Sequence, residues 1–96
     1  MRTERMVRVE VRLFANLRED VGKDSIFLDF ANSPTMLDVI KELIKREPKL
    51  QRRLICNEGF NEHYKILIGA DLVFPEDFSK ILRGNKVAIL PPVSGG

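Results

Sequence analysis

Apolar and polar residues alternate along Val7-Arg-Val-Glu-Val-Arg-Leu-Phe14, so that Val7, Val9, Val11 and Leu13 share one parity and Arg8, Glu10 and Arg12 the other. A period of two predicts a half-buried β-strand. Ala15 to Val21 reads as a short helical or irregular link closed by Gly22, and Ile26, Leu28 and Phe30 share a parity in a second strand, expected to run antiparallel to the first. Asn32-Ser33-Pro34-Thr35 then carries helix-start chemistry. Ser33 or Thr35 can accept from free backbone N–H groups, Pro34 suits a first turn, and Asp38 complements the positive end of a helix. Met36, Leu37, Ile40, Leu43 and Ile44 follow at three- and four-residue spacing, opposite Asp38, Lys41, Glu42 and Lys45, until Glu47-Pro48. That spacing predicts an amphipathic helix over 36–46.

Beyond it, Leu50 to Ile55 suggests one or two further helical turns, and Asn57 to Glu62 has loop composition. A lone cysteine, here Cys56, is usually inert and buried. Tyr64 to Ile68 reads as a strand, Gly69-Ala70-Asp71 as a turn, and Leu72 to Phe74 as a short return strand ended by Pro75. Asp77 to Leu82 can hold one helical turn, Gly84-Asn85 a further turn, and Lys86 to Leu90 the last strand. Two strands, a helix and more strands make an α+β order in which one main helix covers one face of a mixed sheet. A β-grasp arrangement satisfies it, with the first strand beside the last: one domain over 1–90 and an extended Gly-Gly tail over 91–96.

Composition removes several alternatives. With 96 residues, 44% apolar and 31% charged, the chain is too apolar for a disordered protein and sized for one core. Sixteen Lys and Arg against fourteen Asp and Glu leave only +2, interspersed along the chain, so no nucleic-acid footprint is expected. One cysteine and one histidine exclude an internal disulfide and lack the ligand set of a Cys/His zinc site, which fits a reducing cytoplasm. No apolar run approaches the roughly 20 residues of a membrane span. Met1 to Met6 leads straight into the first strand pattern rather than a signal-peptide core, so neither export nor membrane insertion is expected.

The most informative residues are Pro91-Pro92-Val93-Ser94-Gly95-Gly96. The prolines stiffen the exit from the last strand, and six extended residues reach roughly 20 Å at about 3.3 Å each. Gly95 and Gly96 lack Cβ, so a narrow channel in a partner can close around their backbone and reach the terminal carboxylate. A carboxylate is a poor acyl donor, so chemistry at Gly96 needs prior activation, most simply as an ATP-derived adenylate. The chain has neither a GxxxxGK[ST] nor a GxGxxG loop, so another protein must bind that nucleotide. Strand parity adds a second clue. Phe14 falls with Arg8, Glu10 and Arg12, and Leu90 with Lys86 and Ala88, so both point away from the helix-covered face. Leu67 and Leu72 can extend this apolar cluster into a partner surface near the tail. The alternative is that these residues lie beneath the 50–63 segment or are isolated exposed apolars.

Val11-Arg-Leu-Phe-Ala-Asn-Leu-Arg-Glu19 and Gly84-Asn-Lys-Val-Ala-Ile-Leu-Pro-Pro-Val-Ser-Gly-Gly96, with the 36–46 helix between them, resemble the small subunit of molybdopterin synthase, the MoaD sulfur carriers. The resemblance implies a ubiquitin-like β-grasp fold and no bound cofactor. It implies that a MoeB-like, ubiquitin-activating-type enzyme uses ATP to adenylate Gly96, after which sulfur replaces one oxygen to give a thiocarboxylate. A MoaE-like large subunit would receive the tail and hold the pterin precursor, with Phe14, Leu72 and Leu90 at apolar docking positions and Pro91, Pro92, Val93, Ser94 and Gly95 threading the channel. The chain is then a carrier subunit, with the catalytic pocket on its partner. Residues 48–63 look longer than in compact family members, and Arg52 and Arg53, read as solvated helix residues, add a basic step. Related carriers with the same ending serve thiamin thiazole synthesis, transfer-RNA thiolation or attachment to protein lysines. His63 reads as a surface histidine, and Glu19-Asp20 and Glu76-Asp77 as solvated turn charges.

Overall fold

The computed structural model describes residues 6–57 and 59–92. The first alternating run forms β1 (Val7–Leu13), with Val9, Val11 and Leu13 buried and Arg8 and Arg12 exposed. One residue after Phe14 the chain enters α1 (Ala15–Val21), which buries Leu17. It ends on Gly22 at φ 81, whose N–H donates to the Arg18 carbonyl. A left-handed C-terminal residue of this kind is the glycine's conformational role. β2 (Ser25–Phe30) returns antiparallel to β1, placing Leu28 opposite Val9 and Ile26 opposite Val11, so the apolar parities of both strands meet on one face.

Thr35 caps α2 (Met36–Arg46): its Oγ1 accepts from the Asp38 N–H while the Asp38 carboxylate accepts from the Thr35 N–H. This reciprocal pair satisfies two backbone donors that a helix start leaves free. Pro34 stands before the cap rather than in the first turn, and its carbonyl accepts the Leu82 N–H. The buried stripe is Met36, Val39, Ile40 and Leu43, whereas Leu37 is 41% exposed. Each residue turns about 100° around the helix, which swings Leu37 off the sheet-facing side that Met36 occupies and brings Val39 near it. Leu43→Ala, at a fully buried position, is therefore expected to cost about 2–5 kcal/mol, and Leu37→Ala under about 1 kcal/mol. Urea midpoints at unchanged m-value check the contrast.

A 3-10 turn (Pro48–Leu50) and α3 (Gln51–Leu54) follow, then a small hairpin of β3 (Ile55–Cys56) and β4 (Gly59–Phe60) where loop composition was expected. Two-residue strands carry no readable period, and Gly59 at φ 117 supplies backbone that other residues rarely adopt. Cys56 is exposed, contrary to the buried position expected, because it lies on this outlying hairpin rather than in the main sheet. The Phe60 ring meets Phe78 edge to face at 5.2 Å, which ties the hairpin to the core.

β5 (Lys65–Ile68) and β6 (Asp71–Val73) form a hairpin whose two-residue loop begins with Gly69 at φ 61, where a tight turn needs a positive φ. β6 ends before Phe74, and the next turn is a 3-10 turn over Pro75–Asp77, since proline fixes φ for a turn start there. No helical turn spans 77–82; Ile81 instead bridges to Thr35. β7 (Lys86–Leu90) pairs parallel with β1 and antiparallel with β5, giving the order β2-β1-β7-β5-β6. Leu13, Leu28, Ile66 and Ile89 of the sheet share one core with Met36 and Leu43 of α2, and Leu17, Leu50, Leu54 and Phe78 close its edges. Among the described residues no helix is long and apolar enough to cross a membrane.

Candidate functional site: the open sheet face and the root of the tail

The clue from strand parity leads to the face of the sheet away from α2. In β1 and β7 Arg12 lies opposite Ala88, in β7 and β5 Ala88 lies opposite Leu67, and in β5 and β6 Leu67 lies opposite Leu72. These four side chains therefore form a line across four strands, roughly 14 Å long at about 4.8 Å per strand. One step along the parallel pair come Phe14 and Leu90, both half-buried, with Lys65 opposite Leu90. Leu72, at 43%, is the most exposed of the apolar set. The sheet thus joins Leu67, Leu72 and Ala88 through cross-strand neighbours, with Leu90 two residues beyond Ala88 on β7, where sequence parity could relate residues only within single strands.

Phe14 keeps its outward direction because its backbone stays extended (φ −130, ψ 154) past the end of β1. Ala15 then reverses the chain at φ 51, a left-handed conformation that costs a non-glycine residue about 1 kcal/mol. The Arg12 guanidinium lies 5.8 Å from the Phe14 ring centroid, near enough for a cation–π contact. Lys65, Lys86 and Arg12 share this face, with Glu10 beside Lys86 across the β1–β7 pair. Phe27, also exposed, sits on the far side of that charged pair, opposite Glu10, with the Arg8 guanidinium 5.8 Å from its ring. Pro91, half-buried, and Pro92, exposed, carry the chain off β7 directly after Leu90. Val93, Ser94, Gly95 and Gly96, singled out from the sequence, lie outside the described residues.

Beside Pro92 opens a polar cleft of about 650 Å³, between α1 and the 48–63 segment. Arg53 donates to the Asp20 carboxylate from both Nε and Nη2, joining residues 33 apart in sequence. Neither Arg53 nor Asp20 is the free solvated charge expected of it. The Arg53 hydrogen bond, aided by the nearby charges of Arg53, Arg52 and Lys49, holds Asp20 below the ordinary aspartate value of 3.8, against partial desolvation. Because the folded value is depressed, the pair stabilises the native state fully above that ordinary value and loses its contribution as pH falls through the folded one. Asp20→Asn should accordingly be less stable than wild type near neutrality, with the difference closing as pH falls below the ordinary aspartate range, as read from urea midpoints at successive pH values. Asn61 donates to the Arg53 carbonyl and accepts the His63 N–H, and the Tyr64 hydroxyl donates to Asn16, so the cleft's walls are linked to one another. His63 is exposed at its edge. Asp20, Lys49 and Asn61 went unmarked as neighbours because only the folded segment brings them together. Among the described residues, no three His, Cys, Asp or Glu side chains gather to hold a metal ion.

A mixed sheet with its terminal strands parallel at the centre, one main helix on one face, and a tail leaving the last strand beside an open apolar row defines a ubiquitin-like β-grasp protein. Comparison with known proteins makes the assignment narrower. The chain belongs to the ThiS family, whose model matches residues 11–96. It is 31% identical over 88 residues to a molybdopterin synthase sulfur carrier subunit of Dictyostelium discoideum, covering 91% of this chain and 94% of that protein. It is 33% identical over 92 residues to small archaeal modifier protein 3 of Haloferax volcanii, covering 94% of this chain and all of that one. The crystal structure of SAMP1 from Haloferax volcanii superposes with a TM-score of 0.82 at 27% identity, covering 94% of this chain and 100% of that one. The protein is thus one of the sulfur carriers and ubiquitin-like small modifiers.

Proposed function

We propose that this protein is a cytoplasmic sulfur carrier for molybdenum cofactor synthesis. The observation that carries the reading is the apolar row of Leu67, Leu72 and Ala88, with Leu90 and Phe14 beside it, at the strand from which the Pro-Pro-Val-Ser-Gly-Gly tail departs. The likeness to a molybdopterin synthase sulfur carrier subunit favours the pterin pathway. In this reading the Gly96 carboxylate attacks the α-phosphate of ATP on a MoeB-like enzyme, and pyrophosphate leaves. Hydrosulfide supplied to that enzyme then attacks the acyl carbon, AMP leaves, and a thiocarboxylate remains; where the donor is a protein persulfide, the acyl disulfide first formed is cleaved by a second thiol, which ends in a disulfide with the donor's sulfur. A MoaE-like large subunit docks on the apolar row, draws in Pro91 to Gly96, and presents the pterin precursor to the sulfur. Sulfur is the better nucleophile than the oxygen it replaces, which suits this delivery.

The test is the intact mass of untagged protein purified after coexpression with the activating enzyme of its own source. One oxygen-to-sulfur exchange at Gly96 is expected; an unmodified mass beside a demonstrably active enzyme and sulfur supply refutes the reading. A second reading, conjugation of Gly96 to lysines, is favoured by the 33% identity to small archaeal modifier protein 3. It requires Val87–Gly96 remnants, which trypsin leaves by cutting after Lys86, on lysines of digested cellular proteins, and these must disappear when this chain is deleted.

A further inference from the structure

The cleft beside Pro92 has a surplus of positive charge that no described residue of the chain answers. Lys49, Arg52 and Arg53 line it against the single carboxylate of Asp20, a local balance of +2 by counting these four side chains. Arg53 is already held by Asp20, and its carbonyl by Asn61. Lys49 and Arg52 are exposed and have no carboxylate within salt-bridge distance among the described residues.

We propose that this cleft receives an acidic segment of the enzyme that adenylates the C-terminal tail, with Lys49 and Arg52 as the cations that meet its carboxylates. The inference rests on the reading that a partner protein engages the tail. Pro92 is part of the cleft wall, so a partner that holds the chain at Pro92 also meets the cleft. Two cations without a salt bridge among the described residues are too few for the basic stripe that a nucleic acid requires. The cleft is open and polar, unlike the enclosed, mostly apolar cavities that bury small ligands. The 48–63 segment thereby adds a selective contact to the apolar row: the row supplies docking surface, and the cleft discriminates partners by charge.

The experiment is steady-state pyrophosphate release by the activating enzyme of the same source, with the full-length chain as substrate. Lys49→Glu with Arg52→Glu is expected to raise KM about tenfold at low salt, leave kcat within about twofold, and flatten the dependence of KM on salt. Lys41→Glu with Lys45→Glu makes the same change in net charge on the exposed side of α2 and should leave KM within about twofold. An unchanged KM in the first variant, or equal rises in both, overturns the proposal. Should the wild type not be activated at all, the sulfur-carrier reading fails by itself, and the cleft is then tested by NMR titration with a hexaglutamate peptide. Amide shifts at Asn61 and His63 that vanish in Lys49→Glu/Arg52→Glu support the cleft, and their absence overturns it. Equal shifts with sodium phosphate assign the cleft to a free oxyanion and also overturn it.

Discussion

Deletion of Gly96 is expected to abolish sulfur loading of the chain while leaving its thermal midpoint unchanged. In the proposed chemistry the reactive atom belongs to the Gly96 carboxylate, and removing one residue withdraws that carboxylate by roughly 3.3 Å from where an activating enzyme would bind it. A misplacement of about 1 Å at a reacting centre already costs on the order of a hundredfold in rate, so the truncated chain should fall below that level. Stability should not follow, because the core of the described residues runs from Val9 to Ile89 and is closed before the tail begins. Gly96→Ala separates reach from bulk: the carboxylate stays in place, but the added Cβ must enter the space that two glycines leave free. It should load slowly, with an effect intermediate between wild type and the deletion. Time courses of intact mass, alongside thermal melts of all three proteins, decide the matter. Loading of the truncated chain at the wild-type rate would remove Gly96 from the chemistry.

The parts of this architecture that a reader of the sequence can find are those whose physics is local. β1 shows itself through strict alternation, α2 through Thr35 and Asp38 at capping spacing followed by an apolar stripe, and the open face through the parity of Phe14 and Leu90. Each depends on residues within a few positions of one another. What escapes depends on pairing between distant segments. Leu67 gains its central position only because β5 lies between β7 and β6, which places Ala88 on one side of it and Leu72 on the other. Arg53 and Asp20 look like solvated charges until the 48–63 segment folds against α1. The β3–β4 hairpin is too short to carry a period, and the exposure of Cys56 follows from that hairpin rather than from any property of cysteine. The misplacement of Leu37 and Val39 has a different source: three- and four-residue spacing admits two adjacent stripes, and only the position of the sheet selects one.

Leu67→Glu combined with Leu72→Glu is expected to weaken docking of the large subunit by roughly a hundredfold or more, without unfolding the protein. Interface energy concentrates in a few central apolar side chains, and a charge placed there must be desolvated against an apolar partner surface. In the proposed docking surface Leu67 is such a centre, flanked across the strands by Ala88 and Leu72 on the face away from the core. Leu72, already 43% exposed, tolerates a charge in the free protein, so Leu72→Glu alone should leave the thermal midpoint almost unmoved and weaken docking less than the pair. Phe27→Glu is the decisive comparison. Phe27 is 50% exposed on the same sheet face, more than Leu72, but Glu10 and Lys86 lie across the sheet from it rather than apolar neighbours. If exposure of an apolar side chain were what mattered, Phe27→Glu would be as harmful as Leu72→Glu. If the line from Ala88 through Leu67 to Leu72 is the docking surface, calorimetric titration with the large subunit should find Phe27→Glu within about twofold of wild type. Equal losses at Phe27 and Leu67 would mean that the partner covers the whole sheet face, and an unaffected Leu67→Glu/Leu72→Glu protein would move the docking surface elsewhere.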